Sequence, residues 1–185
     1  DPKIIGANIG YDDSATQKAT VTSDGTQILT DTSRVYAAIN AVAKEGQKIT
    51  SCRERVGRIG GFELFDHVNA DPIFELAAQR AVKLLEAKPA PSGRFTVVAD
   101  PRLAGVFAHE AVGHGCEADA VITGESILGS KFMKRVGSDI VSIFDDSTVK
   151  KGWGNEKYDD EGVPTRRRLL IEKGILKGYI HNKES

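Results

Sequence analysis

His109 and Glu110 are neighbours, and His114 follows five positions after the first histidine, inside the stretch FAHEAVGHGCEAD (107–119). Two imidazoles with a carboxylate beside them are donors that zinc favours, and a catalytic zinc keeps one coordination position open for water. Such water is acidified towards neutral pH, and a nearby carboxylate can take its proton and pass it to a leaving amine. This is the chemistry of metal-assisted peptide hydrolysis. The spacing is one residue longer than the helical H-E-x-x-H pattern of zinc peptidases. On a regular α-helix, at roughly 100° per residue, His109 and His114 stand about 140° apart. A π-bulge, or an early helix end, would bring them to one side. Gly113 and Gly115 flank the second histidine and make such a distortion inexpensive.

A metal site of this kind needs a third ligand. Cys116 lies two residues after His114, and its plainer reading is a small buried thiol at a helix end. Glu117 and Asp119 are alternatives. His67 and His181 stand alone and read as ordinary polar positions. Asp159-Asp160-Glu161-Gly162 has the chemistry to hold the amino end of a peptide, but reads first as a solvated acidic turn. Arg166-Arg167-Arg168 could meet a carboxylate or a phosphate, and reads as the solvated start of a strand.

The elements that must position these residues alternate between strand and helix patterns. Ala19–Thr22 and Gln27–Thr30 flank Asp24-Gly25, a hairpin signal. Arg34–Val42 is rich in alanine, yet Val35, Ala37, Ile39 and Ala41 alternate, which predicts a strand pairing with Lys48–Arg53. Gly57, Gly60 and Gly61 predict a loop. Asp71–Ala87 carries apolar residues at helical spacing, with Asp71 as its expected cap and Pro72 in its first turn. Lys88–Gly93, with two prolines, reads as a linker. Phe95–Ala99 reads as a short buried strand, Leu103–Gly115 as the motif helix, and Val141–Phe144 as a strand. Arg167–Ile171 and Ile175–Ile180 form a second expected hairpin around Glu172-Lys173-Gly174. The fold class is therefore α+β. The linker places a domain boundary near residue 90, between a strand-rich first portion (1–90) and a second portion (91–185) that carries the motif helix.

Bulk properties narrow the field. The 185 residues are 40% hydrophobic and 28% charged, with a net charge of −1, as in a folded protein rather than a disordered one. The balanced charge argues against direct nucleic-acid binding. No apolar run approaches the roughly 20 residues that span a bilayer, and no signal peptide is legible. Two cysteines make no disulfide framework, which predicts a cytoplasmic setting. The chain opens on Asp1 without methionine and stops at Ser185 just after a strand-like run, so an internal fragment of a longer protein is expected.

His109-Glu110-Ala111-Val112-Gly113-His114 followed by Glu117-Ala118-Asp119 resembles the signature of the TldD/PmbA metallopeptidases, the modulator of DNA gyrase family. The likeness extends to Arg135–Ser138 with Val141–Thr148, and to Asp159–Thr165 with Leu169–Tyr179. Upstream it includes Ser23–Gly25, Gly57–Gly61 and the 71–87 helix with its proline-rich exit. It covers most of the chain, and it implies that residues 1–90 are part of an N-terminal α/β domain and residues 91–185 the start of a β-rich catalytic domain that carries the motif helix. The resemblance implies a cytoplasmic zinc peptidase in which His109 and His114 bind the metal and Glu110 is the general base. It implies a third ligand, a cysteine, beyond this chain, and so an incomplete zinc site here. It also implies unfolded peptides or peptide precursors as substrates, a homologous subunit as homo- or heterodimer partner, and DNA gyrase as a further candidate partner. The competing reading is a non-catalytic interaction module that modulates gyrase or pairs with an active homologous subunit.

Overall fold

The structure, a computed structural model, describes residues 1–185. It is a mixed α/β fold built on antiparallel sheets, as the sequence predicts. Two compact units make it up. One comprises residues 1–21, 27–93 and 150–155, the other residues 22–26, 94–149 and 156–185.

The first unit is a three-stranded antiparallel sheet in the order β1-β2-β3, with β1 Ile4–Val21, β2 Gln27–Glu45 and β3 Lys48–Ile59. Both expected hairpins are present, but each is part of a longer ladder. The Arg34–Val42 stretch is extended, as its alternation predicts, and Val35, Ala37, Ile39, Ala41 and Ala43 are buried. Small alanines at alternate positions let a helix approach the sheet closely. That helix is α2 Asp71–Leu84, after the single helical turn α1 Leu64–His67. Ala77, Ala81 and the following Leu85 close against Ile39, Ala41 and Ala43. The Glu54 carboxylate is buried beneath α2 and paired with Arg80.

Two local expectations are corrected. Asp71 is the first helical residue rather than the cap, and Ala70 occupies the cap without a side-chain bond. The Asn69 side chain instead accepts from the Asp71 amide. Gly57 lies inside β3, opposite Tyr36, rather than in a loop. A side chain there would press on the Val35 carbonyl, 3.0 Å away.

The second unit holds α3 Pro101–Ala108, α4 Ala118–Ile122 and a small antiparallel sheet, β4 Ile143–Asp146, β5 Arg167–Glu172 and β6 Ile175–Leu176. Its core is Cys116, Leu128, Leu170, Ile171 and Leu176. The expected Phe95–Ala99 strand does not form. These residues have no regular secondary structure, and Val98 is fully exposed. A strand exists only where a neighbour takes up its amides and carbonyls, and no strand of this chain pairs with them. The second hairpin is shorter than expected. After Leu176 the chain leaves the ladder, and Ile180 bridges to Glu117 instead. That bridge ties the motif to the sheet.

Candidate metal centre

Asp100 starts the motif helix. Its side chain accepts from the Leu103 amide, and Pro101 fills the first turn, a pairing suited to a helix N-terminus. The helix runs as α until Ala108. From His109 to Gly113 it widens into a single π turn, then tightens to a 3₁₀ turn over His114–Cys116. The His114 amide donates to the His109 carbonyl, the i→i+5 bond that defines a π turn. The widening expected from the spacing is therefore present.

Its geometric result is specific. The rings of His109 and His114 lie with centroids 4.6 Å apart, steeply inclined to each other. One donor atom from each of His109, Glu110 and His114 falls within 4.8 Å of the others, and all three residues are exposed. His114 Nε2 lies 3.8 Å from the Glu110 carboxylate. Two imidazoles and a carboxylate so close together fit a zinc ion in donor type. Gly113 and Gly115 sit in the right-handed helical region or its neighbourhood, without the positive φ that glycine alone adopts freely. Gly115 is needed for space, because a Cβ there would lie 3.0 Å from Leu128.

The other candidates fall elsewhere. Cys116 is fully buried in the core of this unit, and burial pushes its thiol up to about 11. It is not part of the His109–Glu110–His114 group. Glu117 turns its carboxylate onto His114 Nδ1 at 2.9 Å, on the far side of the ring from Glu110. Asp119 lies in the first turn of α4, outside the His109–Glu110–His114 group. His67 and His181 are exposed and outside the group. Asp159 folds its own turn by accepting from the amides of Glu161 and Val163. Arg167 lies over the Phe144 ring and pairs with Asp146.

The histidines line a cavity of about 440 Å³, walled by Gly105 and Ala108 of α3 and by Ile143, Phe144 and Asp145 of β4. Asp145 also lines an adjoining cavity of about 520 Å³, shared with Asp159, Asp160, Glu161, Arg168 and His181. The place of β4 in this wall is nearly silent in the sequence. Its only signal is the Asp145-Asp146 pair at the end of a predicted strand.

With this geometry in view, the comparisons decide the family. Residues 92–185 match the family model described as the PmbA/TldA metallopeptidase C-terminal domain, and residues 1–85 that of its central domain. The chain belongs to the PmbA/TldD metallopeptidase family. A metalloprotease of Methanocaldococcus jannaschii is 42% identical over 185 residues, which is all of this chain and 41% of that protein. A zinc metalloprotease TldD homolog of Saccharolobus solfataricus is 30% identical over 183 residues, covering 98% of this chain and 41% of its own. A Thermotoga maritima structure, described as a modulator of a DNA gyrase, superposes with a TM-score of 0.85 at 24% identity. That match covers 100% of this chain and 42% of the other, and it speaks for the fold. The chain thus spans about two fifths of the relatives it matches.

Proposed function

We propose that this chain carries the metal-binding and proton-transferring part of a zinc-dependent peptidase acting on unfolded peptides or peptide precursors. The observation that carries this reading is the π turn, which gathers His109, Glu110 and His114 into one exposed group. His109 and His114 hold the metal. As the family resemblance implies, the third ligand comes from outside this chain; the burial of Cys116 in the core, the engagement of Glu117 with Nδ1 of His114 and the place of Asp119 outside the His–Glu–His group support this. Zinc, when bound, supplies Lewis acidity to the water and to the scissile carbonyl. Glu110 takes the proton of the attacking water and delivers it to the departing amine. Its exposure leaves it free to face both. Residues 91–185 are the first part of the catalytic domain, and residues 1–90 belong to the α/β portion before it.

The likeness to metalloproteases, one of them named for zinc, supports the metal and the reaction class. A homologous subunit is the proposed partner and the cytoplasm the proposed setting. No helix is long and apolar enough to cross a membrane. The competing reading, an interaction module that modulates gyrase, would not require the His–Glu–His group.

The test is zinc content and cleavage of an unfolded peptide by the full-length protein. Glu110→Gln should keep zinc and lose about 10²–10⁴-fold in cleavage, the usual worth of a general base. His114→Ala should lose zinc as well. A wild-type protein without zinc, or a Glu110→Gln variant that cleaves normally, would return the chain to the interaction reading.

A further inference from the structure

We infer that Glu117 is a positioning residue that fixes His114 as its Nδ1–H tautomer and so turns the Nε2 lone pair towards Glu110 and the metal side. This rests on the peptidase reading for its purpose, and on geometry for its existence.

Three observations carry it. First, Glu117 Oε1 lies 2.9 Å from His114 Nδ1. A carboxylate only accepts, so the proton of this bond sits on Nδ1, and a neutral ring then carries its free lone pair on Nε2. Second, Nε2 is the nitrogen that faces the Glu110 carboxylate, 3.8 Å away. The two ring nitrogens thus meet two carboxylates with separate tasks. Third, Glu117 is held in place by the fold. The 3₁₀ turn ends at Cys116, and Glu117 is already extended, with φ −67° and ψ 123°. On either side of it, the Cys116 carbonyl accepts from the Ile180 amide at 2.7 Å, and the Ala118 amide donates to the Ile180 carbonyl at 2.9 Å. Cys116, one residue back, is anchored in the core with Leu170 and Leu176. The carboxylate is therefore presented by a backbone pinned on both flanks. Outer carboxylates of this kind orient a ligating histidine and raise its basicity, and their loss costs roughly 10–100-fold in metal affinity.

This arrangement also explains why Glu117 does not serve as the third ligand. Its carboxylate approaches the ring from the side opposite Glu110. It acts on the metal only through His114.

The test has two readouts. In the metal-free chain, long-range proton–nitrogen correlation on ¹⁵N-labelled histidine reads the His114 tautomer directly. Wild type should show Nδ1–H, and Glu117→Ala should move His114 towards the Nε2–H form that free imidazoles prefer. In the full-length protein, chelator competition reads zinc affinity. Glu117→Ala should weaken it roughly 10–100-fold, and Glu117→Gln, whose amide oxygen still accepts from Nδ1–H, should fall between. Melting temperatures of the variants should stay close to wild type, because the Glu117 side chain lies outside the core. An Nε2–H tautomer in the wild-type chain overturns the assignment, and so does full zinc affinity in Glu117→Ala. A wild-type protein that binds no zinc would instead sink the peptidase reading, and the tautomer would still decide whether Glu117 holds the ring.

Discussion

The amide of His114 donates to the carbonyl of His109, five residues back, and this one bond brings their side chains into register. In a regular α-helix the same amide would reach residue 110, and the imidazoles would diverge by about 140°. The π turn trades one α-helical bond for a wider ring and gains ring centroids 4.6 Å apart. The extra residue that distinguishes this motif from H-E-x-x-H is accommodated there.

The glycines around the site should respond differently to a methyl group. A Cβ at Gly113 would meet the Ala108 carbonyl at 3.9 Å, an ordinary contact. Gly113→Ala should be neutral or stabilising by up to about 1 kcal/mol, the usual helix gain. Gly174 has φ +78°, and a Cβ would fall 2.3 Å from the Gly137 carbonyl. Its own carbonyl accepts from Val136 and Gly137, and its amide donates to Val141. Gly174→Ala should cost at least about 2 kcal/mol, from left-handed strain plus overpacking. Thermal or urea unfolding of the two variants checks the contrast, and equal stabilities would contradict it.

In the first unit, Arg80 neutralises a carboxylate that the sheet and α2 bury. Arg80→Ala should destabilise by about 2–4 kcal/mol, somewhat less than a wholly buried pair would, because Arg80 itself is about half exposed. Adding Glu54→Leu to that variant should recover part of the loss by removing the buried charge. A double variant less stable than Arg80→Ala alone would show that Glu54 is held for other contacts. Urea unfolding of the set gives the answer.

Cys116 should behave as an inert thiol. Burial raises it from an ordinary 9.0 to about 11, so the neutral form is favoured by the fold. A group shifted upward lends its stability in full below its unfolded value of 9.0 and loses it as pH rises through about 11. At pH 8 a thiol-reactive probe should label the partly exposed Cys52 first. Cys116 should label only on unfolding, or as the pH climbs into that window. Equal labelling rates for both cysteines in the folded chain at pH 8 would show that the thiol is open.

Much of this architecture can be read from local pattern. Asp24-Gly25 and Glu45-Gly46 mark turns because glycine takes the positive φ they require, +91° and +57°. The alternation through Val35–Ala41 specifies an extended strand against the helical preference of its alanines, because only a two-residue period buries those positions together. Asp71–Leu84 is helical because its apolar residues recur at helical spacing. The His109–Glu110–His114 set announces metal chemistry by residue type, and its five-residue step already demands a distorted helix.

Other features depend on partners far along the chain, and local pattern is silent about those. Phe95–Ala99 has the composition of a buried strand, yet no strand in this chain offers it a ladder. The Ile175–Ile180 run reads as one strand, but Ile180 leaves it to bridge Glu117. That bridge, made across some sixty residues of chain, sets the backbone on which Glu117 stands. Cys116, Glu117 and Asp119 are equally plausible ligands in sequence, since a donor's type says nothing of its direction. Folding sends Cys116 into the core with Leu170 and Leu176 and turns Glu117 onto the back of the His114 ring. The sequence by itself determined which groups could bind a metal and that the helix between them must widen. Only the tertiary structure decided which of them face one another, because that choice is made by where Ile180 and the core hold the chain after His114.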